Sequence, residues 1–309
     1  MFTGDLPEQH IFTVRPLCSP GKTSAWCQDQ SFNDDEDLSH TSYNTDWMKS
    51  IDNNKKITHI TIPGTHDALA RCGIDLAICQ AWSLKNQLRA GIRYLDLRVT
   101  EDLGIVHGIV KQGITFTEVL NTALDFLNQH KNEAVLMRVK PEGNNKINVQ
   151  VEVQKVIKDL ANVWTKSEVP NMGDARGKVI LVQKNDFKLG VPSIGTDRKW
   201  DYVVIRKAKK KEKIATHLNE VKEMCAKDGN SDKVVVSYSS GTGTILKFWS
   251  TPKEVAKDIN PWLNRYLAKL EYGPCFGVIA MDFPGTGLIQ TVIKLNDLPV
   301  AKDHVTAKK

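Results

Sequence analysis

The chain has 309 residues, enough to bury the core of one large α/β domain, and its 41% hydrophobic and 25% charged residues are those of a globular protein. No apolar run approaches the roughly eighteen residues of a membrane span, and the N-terminus lacks the basic-then-apolar pattern of a signal peptide. The net charge of +6 is modest and favours an anionic surface or substrate.

In chain order, residues 1 to 45 are polar, carry the acidic cluster Asp34-Asp35-Glu36-Asp37, and read as a disordered extension. Trp47-Met48 opens the folded part, 46 to 309. Ile57 to Ile62 reads as a buried β-strand stopped by Pro63-Gly64, with Thr65-His66-Asp67 just beyond it. Ile74 to Ile78, around Leu76, is an apolar loop or short helix, and Ser83 to Gly91 is a helix with a Ser cap and a Gly stop. The strand Ile92 to Arg98 puts Asp96 and Arg98 on one face, and Gly104 to Gly108 brings a second histidine, His107, beside glycines. A helix capped by Thr117 runs to His130, with Val119, Leu120, Ala123, Leu124 and Leu127 at helical spacing. Ala134 to Lys140 is a strand, 148 to 162 a helix, and Lys178 to Lys184 a strand.

The second half is less regular. A strand is expected over 200 to 205, a helix over 214 to 226 and a strand over 233 to 238. A Gly-Thr loop and the apolar Ile245 to Trp249 precede a helix over 252 to 270, interrupted at Pro261, and the last strand ends in Asp282. Strand and helix alternate, which predicts a parallel sheet. Seven or eight strands are enough for a closed or nearly closed barrel, and its charged strand ends would open on one mouth.

Two histidines with acidic partners, an arginine and lysines at one mouth suit cleavage of a phosphodiester. One histidine takes a proton from an attacking hydroxyl and the other gives one to the leaving oxygen, both roles being open near neutral pH. A guanidinium holds the phosphate oxygens and stabilises the charge that develops. This set makes a metal or other cofactor unnecessary.

The blocks Ile62-Pro63-Gly64-Thr65-His66-Asp67, Tyr94-Leu95-Asp96-Leu97-Arg98, Val106-His107-Gly108, Gly173-Asp174-Ala175-Arg176-Gly177-Lys178 and Ala280-Met281-Asp282 resemble the phosphatidylinositol-specific phospholipase C X domain, bacterial single-domain type, from about Trp47 to Leu298. The resemblance implies a distorted TIM (β/α)8-like barrel of parallel strands with outer helices, and attack of the inositol 2-hydroxyl on phosphorus, releasing diacylglycerol and a cyclic inositol phosphate. It makes His66 the base oriented by Asp282, His107 the acid supported by Asp67, Arg98 the phosphate contact, and Asp96 a support for the base or substrate hydroxyl. Arg98 stands where calcium-dependent relatives carry an acidic ligand, so the likeness is to the metal-independent branch. Lys140 matches the family's inositol-contacting lysine, and Lys184 stands in place of a bacterial arginine. The family's inositol-ring Asp and stacking Tyr find no counterpart around Val203 to Arg206.

The implied partner is a phosphatidylinositol-containing membrane surface, touched transiently by a cytoplasmic monomer. Trp249, the Ile74 to Ile78 loop and the basic run near Lys209 are candidate contacts. The apolar residues could equally pack on the barrel rim. The basic run lacks interleaved aromatics, which argues against nucleic acid. The six cysteines show no metal-ligand spacing; Cys72 and Cys79 could bridge a loop, and free buried thiols are the preferred reading for them. A non-catalytic lipid-binding barrel and a metal-dependent glycerophosphodiesterase-like barrel are the alternatives; the first conflicts with a full set of competent residues, the second with Arg98.

Overall fold

The computed structural model describes residues 30–184, 186–195, 207–227, 232–241, 251–273 and 275–297. Among these described residues there are ten strands: β1 (Ile62–Thr65), β2 (Tyr94–Val99), β3 (Gly104–His107), β4 (Val110–Thr115), β5 (Val135–Pro141), β6 (Val163–Trp164), β7 (Val179–Val182), β8 (Ser193–Gly195), β9 (Val234–Tyr238) and β10 (Val278–Met281). Seven α-helices accompany them: α1 (Leu84–Ala90), α2 (Phe116–Gln129), α3 (Lys146–Ile157), α4 (Met172–Ala175), α5 (Lys207–Ala226), α6 (Pro252–Leu267) and α7 (Thr286–Lys294).

Eight strands form one curled parallel sheet in the order β6-β7-β5-β2-β1-β10-β9-β8. Val191, leading into β8, donates to Leu181 O at 2.9 Å and accepts from Gln183 N at 2.9 Å, so the far edge returns to β7 and nearly closes the ring. The expected distorted barrel is therefore observed. Strands β1, β7, β9 and β10 are buried at every residue, as parallel strands covered on both faces must be. Gly64 in β1 leaves room for a neighbour, because a Cβ there would meet the Tyr94 ring at 2.8 Å.

Several boundaries differ from the sequence reading. Ile57–His59 is a 3-10 turn and the strand begins at Ile62, running through Pro63-Gly64. Ile57, Thr58, Ile60 and Thr61 are buried ahead of the strand, and pairing begins at Ile62, opposite Val278 in β10. His107 lies on a β-hairpin: β3 pairs antiparallel with β2 and β4, outside the barrel path, through a turn at Gly108-Ile109. Helix α2 is capped by Thr115, not Thr117, in a reciprocal capping box with Glu118. Helix α6 continues through Pro261. The strand expected over 200 to 205, Trp249 and the region of the missing ring contacts lie outside the described residues.

Residues 30–45, read as part of the disordered extension, lie against the barrel. Phe32 bridges to Pro284, Asn33 N donates to Phe283 O at 3.0 Å, and the buried Arg93 guanidinium donates to the carbonyls of Asn44 and Thr45. One disulfide is present that the sequence reading did not anticipate. Cys225 at the end of α5 and Cys275 before β10 form a disulfide, Cα to Cα 5.9 Å, across 50 residues that no local spacing could reveal. Cys72 is exposed and Cys79 buried, both as thiols. No helix among the described residues is long and apolar enough to cross a membrane.

Candidate active site

Strand ends place the chemistry at the C-terminal mouth. His66 and Asp67 follow β1 directly, held by hydrogen bonds from His66 N to Met281 O at 3.0 Å and from Ala68 N to Asp96 O at 2.8 Å. Asp67 takes φ +39°, a left-handed conformation that aspartate tolerates better than most residues. Gln80, buried, ties the β1 and β10 ends together by donating to His66 O and Met281 O at 2.8 and 2.9 Å.

Asp67 is the hub. Arg98 grips it with two bonds, Nε to Oδ1 at 2.5 Å and Nη2 to Oδ2 at 2.7 Å. The Nε2 atoms of His66 and His107 each lie 3.2 Å from the same Oδ2. Behind them, His66 Nδ1 is 2.9 Å from Asp282 Oδ1, and His107 Nδ1 donates to Ala77 O at 2.7 Å. Both rings therefore aim Nε2 at one point, the arrangement an acid and a base working on one substrate require. The side chains of His66, His107 and Arg98 keep 21%, 18% and 23% of their surface, so the point is open to a ligand while Asp67 is buried.

The β2–β5 register aligns Asp96 with Arg138 and Arg98 with Lys140. Arg138 holds both Asp96 oxygens at 2.9 and 3.1 Å, and Tyr238 donates to Asp96 Oδ2 at 3.3 Å. Glu142 accepts from Lys140 at 2.8 Å and lies 3.6 Å from Arg98. Tyr238 also sets its ring edge-on to His66, centroids 5.6 Å apart. Lys184 stands past the end of β7, its backbone paired with Phe187.

The electrostatics follow from this packing. Burial lowers the pKa of His66, but the carboxylates of Asp67 and Asp282 outweigh it and raise the imidazole to about 9. Asp67 is held well below the usual carboxylate range: burial alone would raise it, and His66, Arg98 and His107 overcome that. Burial pushes the Cys79 thiol up, reinforced by Asp282 and Asp67, so it is no nucleophile at neutral pH.

The structure thus brings together His66, Asp67, Asp96, Arg98, His107 and Asp282, with Lys140 one strand away. Arg138, Tyr238 and Gln80 were missed: Arg138 sits inside an apolar strand, where only the i, i+2 relation to Lys140 marks it. Among the described residues, the histidine, cysteine and carboxylate groups close enough to share an ion are drawn from this centre and the adjoining Cys79. Guanidinium groups occupy both oxygens of Asp67 and of Asp96, so we assign no cation ligand here.

The mouth of the parallel barrel thus presents two histidines and an arginine on one carboxylate. Residues 57–185 match the family described as phosphatidylinositol-specific phospholipase C, X domain. The chain is 28% identical over 273 residues to a 1-phosphatidylinositol phosphodiesterase of Listeria monocytogenes, with 81% of this chain and 84% of the relative covered. The solved phosphatidylinositol-specific phospholipase C from Listeria monocytogenes is similar in fold, TM-score 0.70 at 24% identity over 82% of this chain and 99% of that one. One from Staphylococcus aureus gives 0.69 at 20% identity, over 84% and 99%. Over residues 57–185 the chain thus resembles the phosphatidylinositol-specific phospholipase C X domain, and over most of its length it is similar to these bacterial proteins.

Proposed function

We propose that this chain is a phosphatidylinositol-specific phospholipase C, cleaving phosphatidylinositol or its glycosylated form to diacylglycerol and inositol 1,2-cyclic phosphate. The observation that carries the reading is Asp67 Oδ2, a buried oxygen that gathers both imidazole Nε2 atoms and the Arg98 guanidinium, each of them partly exposed. The name of the Listeria relative, 1-phosphatidylinositol phosphodiesterase, supports the same substrate.

In this mechanism His66 Nε2 removes the proton from the inositol 2-hydroxyl, whose oxygen attacks phosphorus. Asp282 on Nδ1 keeps the ring aimed and stabilises the imidazolium that forms. Arg98 turns its donors to the phosphate oxygens, where negative charge accumulates. His107 gives its Nε2 proton to the diacylglycerol oxygen as the P–O bond breaks. Asp96, held by Arg138 and Tyr238, faces His66 as a fixed second carboxylate. Lys140, with Glu142, and Lys184 are assigned to the sugar side of the mouth.

Membrane approach is assigned to the rim around His107. Ile74 and Ile109 expose 66% and 99% of their surfaces, on the loop that binds His107 Nδ1 and on the tip of its hairpin. The disulfide favours an oxidising compartment, which replaces the cytoplasmic expectation with an extracytoplasmic one. The reading is tested by diacylglycerol release from phosphatidylinositol vesicles: wild type should release it and His107→Ala should lose at least about 100-fold. Equal release by a folded variant would remove His107 from the chemistry.

A further inference from the structure

Helix α6 turns a buried stripe toward the barrel, and one residue in that stripe is polar. Ala256, Asn260, Leu263 and Leu267 recur at helical spacing, and Asn260 keeps only 1% of its surface. A buried amide left without partners is costly, so an asparagine where the spacing favours an apolar side chain is explained by what it bonds. Its Nδ2 donates to Asp282 O and to Phe283 O, 2.9 Å each.

These two carbonyls bracket a strained turn. Phe283 takes φ +44°, a left-handed conformation that a bulky side chain keeps only where its surroundings over-determine it. Phe283 N donates to Cys79 O at 3.0 Å, Asn33 N to Phe283 O at 3.0 Å and Gly285 N to Ser31 O at 2.9 Å. Those bonds run from backbone to backbone; the two from Asn260 are supplied by a side chain. The turn follows Asp282 directly, whose Oδ1 lies 2.9 Å from His66 Nδ1 and whose Oδ2 accepts from Gly241 N at 3.2 Å. Strand β10 fixes the chain before Asp282, where Met281 pairs with Thr65, so the aim of the carboxylate depends on how the chain leaves it.

We propose that Asn260 is a positioning residue: by bridging the Asp282 and Phe283 carbonyls it holds the left-handed turn and so keeps the Asp282 carboxylate on His66 Nδ1. Facing His66 are Tyr238, edge-on, then Cys79, Asp67, Asp96 and Asp282, and Asn260 acts through the last of these. An amide on an outer helix thereby sets the orientation of an imidazole at the mouth. Its catalytic meaning rests on His66 being the base of the proposed reaction; the structural link does not.

The test is a double-mutant cycle of Asn260→Ala with Phe283→Gly, read by nitrogen-15 NMR titration of the His66 ring and by turnover of phosphatidylinositol vesicles. Asn260→Ala should lower the His66 titration from about 9 by about one pH unit, because a carboxylate no longer held on Nδ1 stabilises the imidazolium less. The ascending limb of kcat/KM should move to lower pH with it, and kcat should fall about 10- to 100-fold while KM changes little. Glycine adopts the left-handed turn without strain, so in the Phe283→Gly background the same substitution should shift His66 by a smaller amount. An unmoved His66 titration in folded Asn260→Ala overturns the proposal, and so does a shift of equal size in both backgrounds, which would separate Asn260 from the turn. If Asn260→Ala does not fold, the double variant must, and its failure beside a folded Phe283→Gly overturns the proposal. Should no variant fold, both side-chain amide protons of Asn260 must exchange slowly with water in the wild type, and fast exchange overturns it. A lowered His66 titration without lipid turnover leaves Asn260 in its role and removes the proposed reaction instead.

Discussion

Asp67→Asn is the most informative single change, because it keeps the shape of the hub and removes its charge. Asparagine tolerates the left-handed backbone at 67 as well as aspartate does, so the effect is electrostatic. One amide oxygen cannot replace two carboxylate oxygens that accept from Arg98 at 2.5 and 2.7 Å and face two Nε2 atoms at 3.2 Å. Removing one partner of a fully buried pair costs roughly 3 to 5 kcal/mol. Arg98 and His66 keep 23% and 21% of their side-chain surface, so we expect the lower end, about 3 kcal/mol.

The gap should depend on pH in a specific way. Asp67 has a folded pKa below its unfolded value, so its contribution is present above about pH 4 and fades as pH falls through the folded value. His66 has a raised folded pKa, so its contribution is complete below about 6.5 and is lost as pH rises through about 9. The difference between wild type and variant, measured by urea unfolding, should therefore be widest from about pH 4 to 6.5. It should narrow at acid pH and, by the histidine share alone, above pH 9. A gap of constant size across that range, or a variant as stable as wild type, would refute the hub.

Arg98→Lys keeps the charge but loses the paired bonds; kcat should fall about 100- to 1000-fold in a vesicle assay, and a silent change would take Arg98 off the phosphate. Because His66 is raised to about 9 in the free protein, the ascending limb of kcat/KM should lie above the ordinary histidine value, and a limb at or below about 6.5 would contradict His66 as base. Arg138→Leu leaves Asp96 buried and without its two guanidinium bonds, so urea unfolding should show a loss of about 3 kcal/mol; an unchanged midpoint would make that pair dispensable.

The site was more legible than the fold around it. His66, Arg98, His107 and Asp282 each stand at the end of an apolar run, where a change from hydrophobic to charged marks the rim of a parallel barrel. Their common partner was hidden: Asp67 looked like support for His107 alone, and only folding puts Arg98 and His66 on it as well. Arg138 and Tyr238 were obscured because apolar strands on both sides made them look like core. Ile57 to Ile62 misled because β-branched residues suit any buried extended segment, paired or not. Residues 30–45 were misread because their contacts with the barrel are mostly backbone hydrogen bonds, which composition does not register.

The central claim is metal-free, intramolecular cleavage by an acid–base pair. Its most direct test is phosphorus NMR of the water-soluble product formed from phosphatidylinositol vesicles by the full chain, with EDTA and with added calcium. The account predicts a cyclic inositol phosphate, formed at the same rate in both. Turnover that requires calcium, or an acyclic phosphate as the first product, would contradict it.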